Sequence, residues 1–240
     1  MPLIVCVLPA CRGHYLPTAA EPQNYRMSAA QDGPHSVDSL IAPYKIALDA
    51  RMNAVIGTVA RTLPKSKSES LLGNWVADAL MVETALLTDQ PPDACVQNYG
   101  GLRIPELPAG PLTLGKLYEL MPFDNMQVIV AMDGIMVQRF FDHVAADGGW
   151  PVSEQVRFVL QDGKAARLTL DGQAPVADRV YRIGLPDYIA DGGGDCDFLR
   201  DLPRENTGRL VRDLLIRHVE RLSESGREVT GGTAGRILEW

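Results

Sequence analysis

Two hydrophobic periods alternate along the chain. Between residues 36 and 62 apolar side chains recur at helical spacing. Leu40, Ile41, Tyr44, Leu48, Met52, Val55 and Val59 form one stripe, which predicts a first helix with Pro43 tolerated near its start. LPKSKSES interrupts the pattern, and a second stripe of Leu72, Trp75, Val76, Ala79, Leu80, Val82 and Leu86 predicts a helix from about residue 70. After Pro91-Pro92, residues 94–97 read as a short buried strand running into NYGGLR. A short helix is expected over 113–120 and a strand over 128–132. A helix over 135–145 follows, with Val137, Phe140, Phe141 and Val144 inward. Residues 156–160 and 166–170 flank Asp162-Gly163 as a hairpin, 180–185 read as a further strand, and 210–222 as an amphipathic helix. Hairpins and helices without regular strand–helix–strand alternation predict an α+β fold. No repeat and no internal boundary appears after about residue 36, so 36–240 is expected to be one domain.

The first 35 residues read differently. Residues 3–11 are LIVCVLPAC, a short apolar run closing on a cysteine, which resembles a bacterial lipoprotein signal with lipidation at Cys11. No positive segment precedes the run and Pro9 sits beside the cut, so a buried strand or a frayed terminus fits the same residues. Residues 12–35, with Pro17, Pro22, Gly33 and Pro34, read as a tether. A lipoprotein signal would put the chain in the periplasm or outer cell envelope, with contact to a membrane only through the lipid. Cys95 and Cys196 would then be the remaining thiols of an oxidising compartment, either paired or free.

Composition narrows the function. Hydrophobic residues make up 46% and charged residues 22% of the 240, an ordinary globular balance. A net charge of −7 without a Lys/Arg cluster argues against nucleic acid. An anionic small ligand, by contrast, needs only one or two local cations. No stretch reaches the ~20 apolar residues of a spanning helix.

Three segments combine glycine with a side chain fit for binding. In NYGGLR, Gly100 and Gly101 permit a tight turn, Asn98 can donate and accept at a base edge, and Arg103 offers a planar cation for phosphate. In MPFDN, Phe123 follows a proline at a bend, with Asn125 two residues on. In DYIADGGGDCDF, Tyr188 precedes a glycine-rich loop and Asp195 offers a carboxylate for two vicinal hydroxyls. Each segment alone also fits a plain surface turn or, for Phe123, a core position. The loop lacks GxGxxG spacing and is no dinucleotide fingerprint.

Taken in order, ESLLGNWVADAL, NYGGLR, MPFDN, YRIGLPDYIADGGGD and the closing GRI resemble the C-terminal, substrate-binding domain of 5'-nucleotidases, over residues 69–237. The resemblance implies a mixed sheet with helices packed on it, and a role in nucleotide catabolism. It implies that Phe123 and Tyr188 stack on the base, that Asn98 meets the base or ribose, that Asn125 reaches the base edge, and that Arg103 meets phosphate. The ribose-binding carboxylate falls on Asp195 with one inserted residue, and on Gly194 with none. Where the family often has a further phosphate-binding Arg, this chain reads Lys65-Ser66-Lys67.

The family's chemistry is metal-assisted hydrolysis, by ligands on a separate N-terminal domain. The four histidines here, His14, His35, His143 and His218, lie in none of its motifs. No catalytic or metal-ligating residue is therefore expected in this chain, which is expected to be inactive alone. Divalent metals are expected on a partner metallophosphatase, with this chain as the nucleoside-recognition half. The alternative is a free-standing nucleoside-binding lipoprotein without a hydrolytic role.

Overall fold

The computed structural model describes residues 35–240. The chain divides into two units at Pro43/Tyr44, and every element after the first helix belongs to the second unit. That helix, α1 (His35–Met52), ends ten residues short of the predicted helical segment, which runs to residue 62. In the second unit, Tyr44 and Leu48 of the stripe are exposed. Val55 and Val59 lie instead on strand β1 (Val55–Val59), where only alternate positions are buried. The reason is tertiary: a Cβ at Gly57 would come within 2.6 Å of Val219, so this stretch packs flat against another helix.

The remaining helices follow their stripes. α2 (Leu71–Ala85) is capped by Ser70, whose hydroxyl accepts from the Gly73 amide at 3.0 Å. α3 (Leu114–Leu120) is capped by Thr113, and α4 (Gly134–Ala146) by Asp133, which accepts from Met136 at 2.7 Å. Such caps are each worth about 1 kcal/mol. On α2, Val82 and Leu86 are exposed; the other stripe residues are buried.

Four strands form the central sheet. β6 (Met126–Met132) lies between β10 (Arg204–Leu210) and β9 (Tyr181–Pro186), antiparallel to both, and the short β3 (Ala94–Cys95) runs parallel to β9. A second sheet consists of β7 (Val156–Gln161), β8 (Lys164–Leu170) and β11 (Ile237–Glu239), with β11 parallel to β7. The β7–β8 turn places Asp162 and Gly163 at φ +51° and +71°, the positive pair that a two-residue hairpin demands. β1 pairs with β5 (Gly110–Thr113), and β2 (Leu63–Pro64) with β4 (Glu106–Leu107). The fold is α+β, with helices packed on mixed sheets.

Two cores result. One gathers α4, the β7–β8 hairpin and β6 around Phe140, Phe141 and Phe158. The other joins α2, α3 and α6 (Val211–Glu224; α5 is the single turn Asp187–Ala190 that follows β9) around Leu72, Leu80, Leu117 and Leu215. Successive residues of the β3 segment face opposite ways, Ala94 and Val96 entering the first core and Cys95 the second. Cys95 and Cys196 are free and buried, one in each core, and burial pushes both thiols up to about 12. Cys11 lies outside the described residues. Among the described residues no helix is long and apolar enough to cross a membrane.

Phe140 has no exposed surface and meets Phe141 and Trp150 edge-on, with ring centres 5.4 and 6.2 Å away. Phe140→Ala should lower unfolding free energy by about 3–5 kcal/mol, read from the urea midpoint.

Candidate functional site

Strand order explains how three distant segments meet. β3 and β9 run parallel, paired through Ala94↔Ile183 and Cys95↔Gly184, so the turns leaving them emerge at the same end of the sheet. β6 runs the other way beside β9, with Gln127 opposite Pro186. The residues entering β6 therefore lie beside those leaving β9. Asn98–Arg103, Phe123–Asn125 and Tyr188 are brought together by this register alone.

Asn98, Gly100, Gly101, Arg103, Phe123, Asn125 and Tyr188 line a single cavity of about 320 Å³. Phe123 and Tyr188 are 40% and 50% exposed, so each ring offers a large face to whatever enters. Among the described residues no ring contact joins these two side chains to each other. The Arg103 guanidinium carbon stands 5.6 Å from the centre of the Phe123 ring, and one nitrogen lies 3.5 Å from the Gly100 carbonyl, a weak contact. Its donors thus remain largely free.

Two further cations stand close to Arg103. Lys65 donates to the Leu102 carbonyl at 2.7 Å and sits 3.8 Å from the centre of the Tyr99 ring; Lys67 is 4.7 Å from the same centre. Burial first, then the Arg103 and Lys67 charges, hold the Lys65 ammonium below its usual range. A local cationic edge thus exists on a chain whose net charge is negative.

Asp195 is not among the lining residues, and neither is Gly194. Both stand on the three-residue turn Gly193–Asp195, Asp195 being exposed with φ +60°. That turn lies behind Tyr188, since a Cβ at Gly193 would run into its ring and its carbonyl. His143 holds the turn from α4: its Nε2 is 2.7 Å from the Gly194 carbonyl, which can only accept, so the nitrogen donates.

Two residues that set the cavity walls escaped the sequence reading. Gln97 is fully buried and donates through Nε2 to the Asn98 Oδ1 at 2.9 Å, which turns the Asn98 amino group away from that contact. A Cβ at Gly101 would overlap the Gln97 amide and come within 3.0 Å of Asn98 Oδ1, so this glycine is required by packing. Gly193 is the second. The only sequence signal for Gln97 is a polar residue ending the apolar run ACV immediately before the glycine pair.

A family model described as 5'-nucleotidase, C-terminal domain, matches residues 54–201. The chain belongs to that family. Protein UshA of Escherichia coli K12 is 25% identical over 195 residues, 77% of this chain and 34% of the relative. The 5'-nucleotidase of Vibrio cholerae is 27% identical over 145 residues, 58% of this chain and 26% of the relative. The chain thus spans about a third of the length of these curated relatives. The crystal structure of a 5'-nucleotidase precursor from Thermus thermophilus aligns with a TM-score of 0.71 at 25% identity, covering 85% of this chain and 43% of that one. NAD nucleotidase from Haemophilus influenzae shares the fold, with a TM-score of 0.64 at 17% identity over 88% of this chain and 42% of its own.

The motifs shared with the 5'-nucleotidase family serve two ends. The cavity takes NYGGLR, MPFDN and Tyr188, whereas ESLLGN and GRI build the scaffold. Glu69 accepts from the Ala234 and Arg236 amides at 2.8 and 3.1 Å, and Asn74 donates to the Gly232 carbonyl at 2.7 Å. Among the described residues no group of three His, Cys, Asp or Glu side chains is placed to hold a metal ion. The donor set there does not fit a dinuclear centre.

Gly100 and Gly101 should respond differently to an added methyl group. A Cβ at Gly100 meets only Asn98 Nδ2, at 3.7 Å. Gly101→Ala should cost about 1–3 kcal/mol through overpacking, and Gly100→Ala less than about 0.5 kcal/mol, both measured by urea denaturation.

Proposed function

We propose that this chain recognises the nucleoside part of a nucleotide in nucleotide catabolism, as the substrate-binding half of a 5'-nucleotidase-type phosphohydrolase. The observation that carries the reading is the cavity itself: two half-exposed aromatic faces, two carboxamides and an uncommitted guanidinium within one 320 Å³ space. A purine or pyrimidine is planar, polarisable and edged with donors and acceptors. Phe123 and Tyr188 supply stacking faces, worth about 1–3 kcal/mol per base. The Asn98 and Asn125 amides match either kind of polar edge. Arg103, with Lys65 close by, suits a phosphate at the mouth. Asp195 keeps a role as a ribose carboxylate in this reading only if the turn Gly193–Asp195 shifts on binding.

The divalent metals that hydrolysis requires reside, in this proposal, on a partner metallophosphatase polypeptide. There they would activate water for attack on phosphorus. This chain's own residues bind and orient the nucleotide, leaving its phosphate toward Arg103. A periplasmic or outer-envelope location, with lipid attachment at Cys11, belongs to the same proposal and rests on residues 3–11. The second reading is a free-standing nucleoside-binding lipoprotein, in which the rings, amides and guanidinium of this cavity hold the nucleoside without a hydrolytic partner.

Calorimetry with adenosine tests the site. Phe123→Ala and Tyr188→Ala should each weaken binding by about 1–3 kcal/mol, and unchanged affinity in both would remove the stacking assignment. Hydrolysis of AMP should appear only when the chain is mixed with a metallophosphatase partner. AMP hydrolysis by the isolated chain with added Mn²⁺ would contradict the division of labour, and hydrolysis in neither case would favour the binding-protein reading.

A further inference from the structure

We infer that Arg212 is a positioning residue that holds the Phe123 wall of the cavity in place, an inference that rests on the nucleoside reading above. Phe123 belongs to neither hydrophobic core and is 40% exposed. Packing does not fix this ring, so its direction depends on the backbone of the bend between α3 and β6.

Arg212 grips that bend. It is the second residue of α6, its side chain only 8% exposed. A cation there is doubly unfavourable, because burying a guanidinium costs several kcal/mol and a helix N-terminus repels positive charge. The compensation comes from the bend. Nη1 donates to the Met121 and Phe123 carbonyls at 3.2 and 3.3 Å, and Nη2 donates to Asp124 Oδ1 at 2.6 Å. The guanidinium carbon also lies 4.2 Å from the centre of the Tyr118 ring, a cation–π contact. Next to it, the Val211 amide donates to the Asn125 carbonyl at 2.9 Å. The start of α6 therefore fastens both lining residues of this segment, Phe123 and Asn125, through their backbones.

The geometry needs a planar fork. Lysine carries the same charge but presents it as a point, and cannot serve two carbonyls and a carboxylate from one plane. Asp124, 78% exposed, brings the neutralising charge from the bend itself. The pair thus ties the Phe123 segment to α6 without closing the cavity.

The test uses the full chain with Arg212→Lys, and with Asp124→Asn as a second variant that alters only an exposed carboxylate. Amide hydrogen exchange in the unliganded chain should rise over residues 121–125 in both variants, more in Arg212→Lys, while α2 and α4 stay protected. Adenosine affinity by calorimetry should fall about tenfold or more in Arg212→Lys, the scale of one charge-assisted hydrogen bond. In a Phe123→Ala background the same substitution should change affinity by less than about twofold, because the two changes act through one ring. Unchanged exchange over 121–125 in both variants overturns the inference. So does an affinity loss of equal size with and without the Phe123 ring, which marks general destabilisation. If exchange rises but Phe123→Ala binds adenosine like the parent chain, the hold on the bend stands and the stacking assignment is what falls.

Discussion

The site depends on one buried fork. Arg236 is 4% exposed, and its two terminal nitrogens reach the Asp78 carboxylate at 2.8 and 2.6 Å while one also meets the Val152 carbonyl at 2.8 Å. Losing Asp78 would strand the buried Arg236 charge, a cost of several kcal/mol, whereas Asp78, 36% exposed, keeps part of its hydration if Arg236 is lost. The fork joins what the hydrophobic effect leaves separate. Asp78 stands on α2 over one core, whereas Val152 belongs to the other. Val152 bridges to Val96, and the Gln97 amide donates to the Pro151 carbonyl at 2.9 Å. The turn that opens at Asn98 is thus anchored to both cores before it reaches the cavity.

Rigidity behind the cavity contrasts with exposure inside it. Gln97 and Gly193 support the lining and Gly101 is part of it, and a methyl group at Gly101 or Gly193 would displace Asn98 or Tyr188. The lining side chains Asn98, Arg103, Phe123, Asn125 and Tyr188 are half-exposed or exposed, and such groups hold a fixed direction only when the backbone beneath them is tied. Preorganisation of this kind raises affinity by lowering the entropy lost on binding. The side chains so held are a cation, amides and aromatic rings.

The fold was legible where periodicity was strong and local. α2, α3 and α4 begin at side-chain caps, α6 follows its apolar stripe, and the β7–β8 hairpin follows from Asp162-Gly163. Several strands were not legible, β1 and β10 among them. Met52, Val55 and Val59 keep helical spacing by coincidence, yet Gly57 must lie close against Val219, and the segment extends into a strand. β10 reads RENTGRL, polar and mostly exposed, because it occupies the edge of its sheet and carries no apolar alternation to detect.

Residue order and local chemistry by themselves determined the α+β class, the family, and which three segments carry recognition-competent side chains. Those are short-range properties: spacing, capping, turn preference and the donor inventory of a motif. Only the tertiary structure decided which of those residues share a cavity. The pairing of Gln127 with Pro186 and of Cys95 with Gly184 collects seven of them, while the turn Gly193–Asp195 passes behind Tyr188 and leaves Asp195 outside the lining. Strand register and the close approach of a glycine to a ring are set between residues tens of positions apart, and no local pattern encodes them.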